Sequence, residues 1–140
     1  MDIRILRPED AALLAAVGPD VFDDPVDPRA LLEFLDDPRH HLVAAIDGGA
    51  IVGFASAVHY VHPDKPSPEM WINEVGVATS HQGRGVASAI LQRLLDVARA
   101  IGCSEAWVLT DRTNEAALRL YRSRGGVEAA GDHVMLTFHL

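Results

Sequence analysis

The sequence predicts one mixed α/β domain over residues 1–140. Three observations predict it. Apolar runs with period-two alternation take turns with runs whose apolar residues recur every three or four positions. The chain has 140 residues, 49% of them hydrophobic and 23% charged, the size and balance of a single globular domain. In "EVGVATSHQGRGVASAILQRLL", Glu74 to Leu95, a strand-like run passes through a loop with Gly83 and Gly85 straight into a helix-like run. Glycine at a helix mouth costs stability, so the backbone there is expected to touch something. Free amides and the positive end of the helix dipole favour an anion, above all a phosphate.

The elements follow in order. "IRILR" (Ile3–Arg7) alternates and reads as a strand. Pro8 opens a helix over "EDAALLAAV", stopped by Gly18-Pro19. Asp27-Pro28 starts a second helix with an apolar face of Leu31, Leu32, Phe34 and Leu35, ended at Asp37-Pro38. "HLVAAI", the turn "DGGA" and "IVGFASAVHYV" read as a hairpin. Three prolines make "HPDKPSPE" a loop, and "MWINEVGVA" (Met70–Ala78) is a third apolar strand. After the glycine loop a helix runs from about Gly85 to Ile101 and closes on Gly102. "EAWVLT" is strand-like. "NEAALRLYRSRGG" is a helix with Asn114 as its N-cap, and "VEAAGDHVMLTFHL" reads as a closing pair of short strands. The order is β-α-α-β-β-β-α-β-α-β-β.

Several classes of function are disfavoured. No apolar run has the length of a membrane span, and "MDIRILRPED" lacks a signal-peptide core. Cys103 is the single cysteine, which fits a reducing, cytoplasmic setting. A net charge of −8 argues against nucleic acid or an anionic membrane as partner. Asp20, Asp23, Asp24, Asp27, Glu33, Asp36 and Asp37 face Arg29 alone; seven acids against one base leave −6, most of the total. This segment is either a solvated face or a surface that attracts a cationic substrate. The seven histidines show no metal-ligand spacing, and no metal is expected. His59 or His62 beside the proline loop could line a pocket, but an isolated surface histidine is the simpler reading. Trp71 and Trp107 read as packing residues, and Cys103 as core filler.

The glycine loop has competing explanations. A P-loop needs Gly-Lys-Ser/Thr, and no lysine is present. Gly83-x-Gly85-x-x-Ser88 approaches a dinucleotide fingerprint, with Asp111 downstream, but too few strand–helix units follow. Gln82-Gly83-Arg84-Gly85-Val86-Ala87 instead resembles the Gln/Arg-x-x-Gly-x-Gly/Ala signature of the GCN5-related N-acetyltransferases, the GNAT fold. The element order resembles that fold over essentially the whole chain. Asn114-x-x-Ala117-x-x-x-Tyr121, followed by Gly125, is similar to the family's late helix motif. Within the fold, "MWINEVGVATSHQGRGVASAIL" resembles the small aminoglycoside 3-N-acetyltransferases.

That resemblance implies an acetyl-CoA-dependent N-acetyltransferase with a cationic amine acceptor. The Gln82–Ala87 backbone (Gln82, Gly83, Arg84, Gly85, Val86, Ala87) would cradle the pyrophosphate, with Arg84 adding a charge-assisted contact. Val75, Gly76 and Val77 resemble the strand that pairs with the pantetheine arm, and a β-bulge near Gly76 would splay the strands beside it. Glu74 is the one ionisable residue in its apolar strand, expected on one face with Ile72 and Gly76. The resemblance points to it as general base, and burial would raise its pKa; a structural ion pair is the competing role. Tyr121 resembles the acid that protonates the departing thiolate, or else is a core tyrosine. Asn114 caps its helix and could also bond the cofactor. Asp23 and Asp24, with Glu74, are the acceptor-side candidates. An aminoglycoside or polyamine, a protein or peptide amine, and a non-catalytic CoA-binding sensor remain as alternatives, and a homodimeric assembly is left open.

Overall fold

A computed structural model describes residues Met1–Leu140. Five strands, β1 (Asp2–Ile5), β2 (His40–Asp47), β3 (Ala50–Tyr60), β4 (Glu69–Val77) and β5 (Glu105–Val108), form one sheet in chain order. The first four are antiparallel neighbours, and β5 runs parallel to β4. Three α-helices join them: α1 (Pro28–Asp36), α2 (Val86–Ile101) and α3 (Glu115–Ser123). The expected mixed α/β class therefore holds.

Local chemistry sets most boundaries. Gly48 and Gly49 both take positive φ, 58° and 81°, the pairing a two-residue hairpin turn requires. The Asp27 carboxylate accepts from Arg29 N and Ala30 N and so caps α1, with Pro28 at its first position. Helix α2 lies between two left-handed glycines, Gly85 and Gly102, and the Gly102 amide returns to the Ala98 and Arg99 carbonyls. The Asn114 side chain accepts from Ala117 N at 3.1 Å and caps α3.

Two expectations need correction. Pro8–Ala16 is a 3-10 helix rather than an α-helix. Its alanine-rich run buries only Leu14, too little apolar surface for packing to impose the α form. The closing pair of strands is absent: residues 127–140 carry no strand or helix and are exposed throughout. A two-stranded ribbon has little stability unless its apolar face is covered, and nothing in the single chain covers this one.

The core lies on both faces of the sheet. Ile90, Leu91, Leu94 and Ala98 of α2 are buried on one face. There a Cβ on Gly53 would come within 3.0 Å of Ile90 Cδ1. On the other face Leu14, Val21 and Leu42 pack with Phe54, whose ring stacks on Phe22 at 3.9 Å. No residue after Ala98 is buried.

His59 is not the isolated surface histidine expected. Its Nδ1 is hydrogen-bonded with His41 Nε2 at 2.7 Å. Burial first, then the charges of His59 and His40, lower the His41 pKa from 6.5 to about 4. Below pH 6.5 the unfolded chain binds a proton that the folded chain refuses until about pH 4. Stability is therefore complete above 6.5 and declines as pH falls through that window. With the pair half-buried, the expected loss is about 1–3 kcal/mol. Urea unfolding at pH 7 and pH 4 measures it, and His41→Gln should flatten the dependence. An equal pH dependence in that variant removes His41 as the cause.

Candidate active site

The site begins at an irregularity in β4. Ser56 pairs with Glu74 and Ala57 with Ile72, so Asn73 is an extra residue on β4. This bulge reverses the alternation. Ile72 is buried, while Glu74 stands on the opposite face with Ser56, Phe54 and Gly76. The expected shared face for Ile72 and Glu74 is thus wrong, and the bulge sits at Asn73 rather than at Gly76. Gly76 has a separate constraint: a Cβ there would lie 2.4 Å from the Val21 carbonyl oxygen and 2.9 Å from the Phe54 ring.

Glu74 faces a cavity of about 290 Å³ between the sheet and the Phe22–Phe34 segment. Phe22, Leu31, Phe34 and Phe54 supply apolar walls, and Asp23, Asp24, Asp27 and Glu74 four carboxylates, with no basic side chain among the lining residues. A second cavity of about 210 Å³ touches it through Asp23 and Glu74 and continues along Val75 and Gly76. The Glu74 side chain makes no hydrogen bond or ion pair to the protein. Burial first, and then the negative charges of Asp23 and Asp24, raise its pKa above the usual 4.5.

The acidic segment divides by role. Asp20 accepts from Thr79 N at 2.8 Å, Asp27 caps α1, and Asp37 pairs with Arg39. Asp23 and Asp24 have no such partner and turn to the cavity.

Past Ile72, β4 has no partner on its β5 side, because the parallel pairing stops at Ile72–Val108. The backbone of Asn73–Val77 is left open along that edge. The strand leads to the glycine loop. Gly83 and Gly85 adopt φ of 72° and 77°, and an added Cβ would meet nothing within 4 Å at either. Their glycine requirement is conformational. The amides of Gly83 through Ser88 make no hydrogen bond within the protein, whereas the Gln82 amide donates to Thr79 O at 3.3 Å. The free run therefore begins at Gly83, one residue later than expected. The Gln82 side chain instead donates to Val77 O at 3.1 Å and ties the loop to β4. His81 bridges Ser80 and Asp47, at 2.8 and 2.9 Å, and fixes the loop against the β2–β3 turn. Arg84 is exposed and forms no ion pair.

Tyr121 is half-buried on α3, packs against the core, and lines neither cavity. Burial raises its pKa above 10, and its hydroxyl has no protein partner. Burial likewise raises the Cys103 thiol, so it stays protonated at neutral pH. His62 pairs with Glu69 at 3.2 Å, and Trp71 stacks on Trp107. No three His, Cys, Asp or Glu side chains are grouped to hold a metal ion.

The structure thus gathers Glu74, Asp23 and Asp24 around one cavity and Val75–Val77 along the edge leading from it, with the glycine loop at the end of that strand. Asn114 and Tyr121 sit apart on α3. Sequence reasoning missed Asn73 and the aromatic walls. Phe22 beside Asp23-Asp24 was the one available sign, since an aromatic next to two acids suits a pocket rim better than a solvated loop.

Residues 10–125 match the acetyltransferase (GNAT) family. The N-alpha-acetyltransferase RimI of Mycobacterium tuberculosis (strain ATCC 25618 / H37Rv) is 38% identical over 125 residues, covering 88% of this chain and 76% of that protein. Two aminoglycoside acetyltransferases from uncultured soil metagenomic samples are similar in structure. HMB0005 has a TM-score of 0.80 at 25% identity, over 99% of this chain and 98% of that one. Meta-AAC0020, solved with trehalose, has a TM-score of 0.81 at 21% identity, over 99% and 96%.

Proposed function

The chain belongs to the acetyltransferase (GNAT) family, and from that premise we propose that this enzyme acetylates a primary amine of a polycationic small molecule of the aminoglycoside type, at its 3-amino group. The observation that carries the reading is the cavity lined by four carboxylates and no base. A ligand bearing several ammonium groups complements it; a singly charged amine uses only part of it. Resistance to such a compound would follow in the cell.

The residues fit acetyl-CoA as the co-substrate. Unpartnered amides from Gly83 to Ser88 at the start of α2 suit a pyrophosphate. Within that run Val86 and Ala87 open the helix, and Arg84 adds an exposed positive charge. The open edge beside Val75, Gly76 and Val77 suits an extended amide-bearing arm. When bound, acetyl-CoA supplies the acetyl group as an activated thioester. The chain's own residues then handle protons and position. Glu74 takes a proton from the acceptor ammonium, directly or through a water, leaving a neutral amine. Burial, then Asp23 and Asp24, raise its pKa above the ordinary carboxylate value, the direction a general base needs. Asp23 and Asp24 hold the remaining cationic groups. The Tyr121 hydroxyl gives its proton to the departing sulfur. Asn114 holds the first turn of α3 and has its side-chain amide left to donate.

Gly85→Val tests the loop. A β-branched residue at φ 77° costs about 1–3 kcal/mol, so the loop should leave this conformation. Acetyl-CoA affinity should fall about tenfold or more by calorimetry while the thermal transition stays cooperative. Parental affinity in the folded variant would remove the loop from the cofactor site.

A second reading is acetylation of a protein or peptide α-amine, favoured by the 38% identity to an N-alpha-acetyltransferase. Thiol release and product mass with purified protein separate the two. Turnover of sisomicin-type acceptors, with little on peptides, supports the first reading. Turnover of free peptide N-termini alone replaces it with the second. Acetyl-CoA binding without turnover of any amine would point to a sensor.

A further inference from the structure

The bulge at Asn73 also decides which side chains share a face with Glu74. In a regular strand Trp71 and Glu74, three residues apart, would point to opposite faces. The extra residue puts them on one. Glu74 stands opposite Ser56, and Trp71 stands opposite Val58, two residues further along β3. The sheet face that floors the cavity therefore continues past it. Trp71 pairs across with Trp107, and the next row on that face holds Tyr60, Glu69 and Glu105.

Hydrogen bonds hold this continuation in place. The Trp107 indole N–H donates to the Tyr60 hydroxyl, Tyr60 donates to Glu69 at 3.3 Å, and His62 closes on the other Glu69 oxygen at 3.2 Å. Trp71 stacks on the fixed Trp107 with 6° between the planes. Yet Trp71 is 38% exposed, and an indole left open to water forgoes much of the gain of burying it. The same face is acidic. Glu69 and Glu105 are its carboxylates, and it carries no lysine or arginine. Burial first, and then the negative charges of Glu69 and Glu105, push the Tyr60 pKa up against the hydrogen bond from Trp107, so both carboxylates act at the aromatic surface.

We propose that the Trp71–Trp107 pair is a second acceptor subsite: it takes an ammonium-bearing ring of the acceptor while the reacting amine lies at Glu74. The subsite rests on the reading of the acceptor as a polycationic small molecule, and it names the part of that molecule that lies outside the cavity. Such a part exists on grounds of size. Sites that enclose a whole drug-sized ligand run to about 300–1,000 Å³, and the cavity at Glu74 has about 290 Å³. An indole face attracts a cation through its ring quadrupole and takes the C–H face of a saturated ring by contact. Glu105 is exposed and, with Glu69, supplies the countercharge. A neutral apolar ligand would match the indoles and leave both carboxylates unused. A one-ring diamine would stay in the cavity and leave the indoles open.

Sisomicin, a chain of amine-bearing rings, and 1,3-diaminocyclohexane, a single one, separate the subsite from the cavity. In Trp71→Ala the dissociation constant for sisomicin by calorimetry should rise about tenfold, and that for the one-ring diamine should not move. Trp71→Phe should recover part of the loss. Glu105→Gln should weaken sisomicin binding at low salt and much less at high salt. On the parent protein, saturating sisomicin should protect the indole emission from acrylamide quenching, and the one-ring diamine should not. Unchanged sisomicin affinity in Trp71→Ala overturns the subsite. So does an equal loss for both ligands, which would mean that Trp71 only shapes the cavity. A parent that binds sisomicin with its quenching unchanged overturns it too, whatever the fold of the variants. A parent that binds no sisomicin overturns the polycationic reading and the subsite together, so the two failures are told apart.

Discussion

Replacing Glu74 by glutamine is expected to lower turnover by on the order of a hundredfold to ten-thousandfold, with little change in acetyl-CoA affinity. The substitution keeps the shape of the side chain and removes the proton acceptor. The parent's rate should fall on the acid side, as protonation of Glu74 removes the base. Burial, then Asp23 and Asp24, place that limb above the ordinary carboxylate range. A companion variant, Asp23→Asn/Asp24→Asn, has a signed consequence. With two neighbouring negative charges gone, the Glu74 pKa falls and the limb moves to lower pH. Acceptor KM rises in the same variant, and that rise shrinks at high salt as screening takes over the attraction already lost. A limb that stays in place in both variants would assign the proton transfer to another group.

The second large effect is expected at Tyr121. Tyr121→Phe keeps the ring against the core and removes the hydroxyl, so turnover should fall on the order of a hundredfold while cofactor affinity and thermal stability stay close to the parent. Burial raises the Tyr121 pKa and keeps the hydroxyl protonated across the working range, as a proton donor requires. Pre-steady-state measurement of the chemical step decides between the roles. An unchanged rate there returns Tyr121 to packing alone.

Much of this was legible because the chain states it locally. Gly48-Gly49, Asp27-Pro28, Gly85, Gly102 and Asn114 each mark an element boundary through backbone freedom or a single side-chain hydrogen bond, and such signals act within a few residues. The glycine loop was legible for the same reason. What could not be read depends on register. The extra residue Asn73 is invisible in an alternating apolar run, because a bulge is defined by the partner strand. Reading the run as regular put Glu74 on the face of Ile72, whereas the structure turns it to the cavity. The roles of Asp20 and Asp47 were hidden by distance. Their partners, Thr79 and His81, lie far along the chain, and composition records only their charge. "HVMLTFHL" has the alternation of a strand, but pattern describes a capacity to pair and is silent on which edge is free.

The two indoles carry one more consequence. Trp71 and Trp107 are the only tryptophans in the chain, and they lie face to face at 5.2 Å with 6° between their planes. They occupy the last pair but one before β4 and β5 part. All of the protein's indole emission therefore originates at the hinge of that fork. A ligand that entered between the strands and changed the spacing of the pair would be read as a change in that emission, so the enzyme carries a built-in optical gauge of the fork's opening that needs no added label.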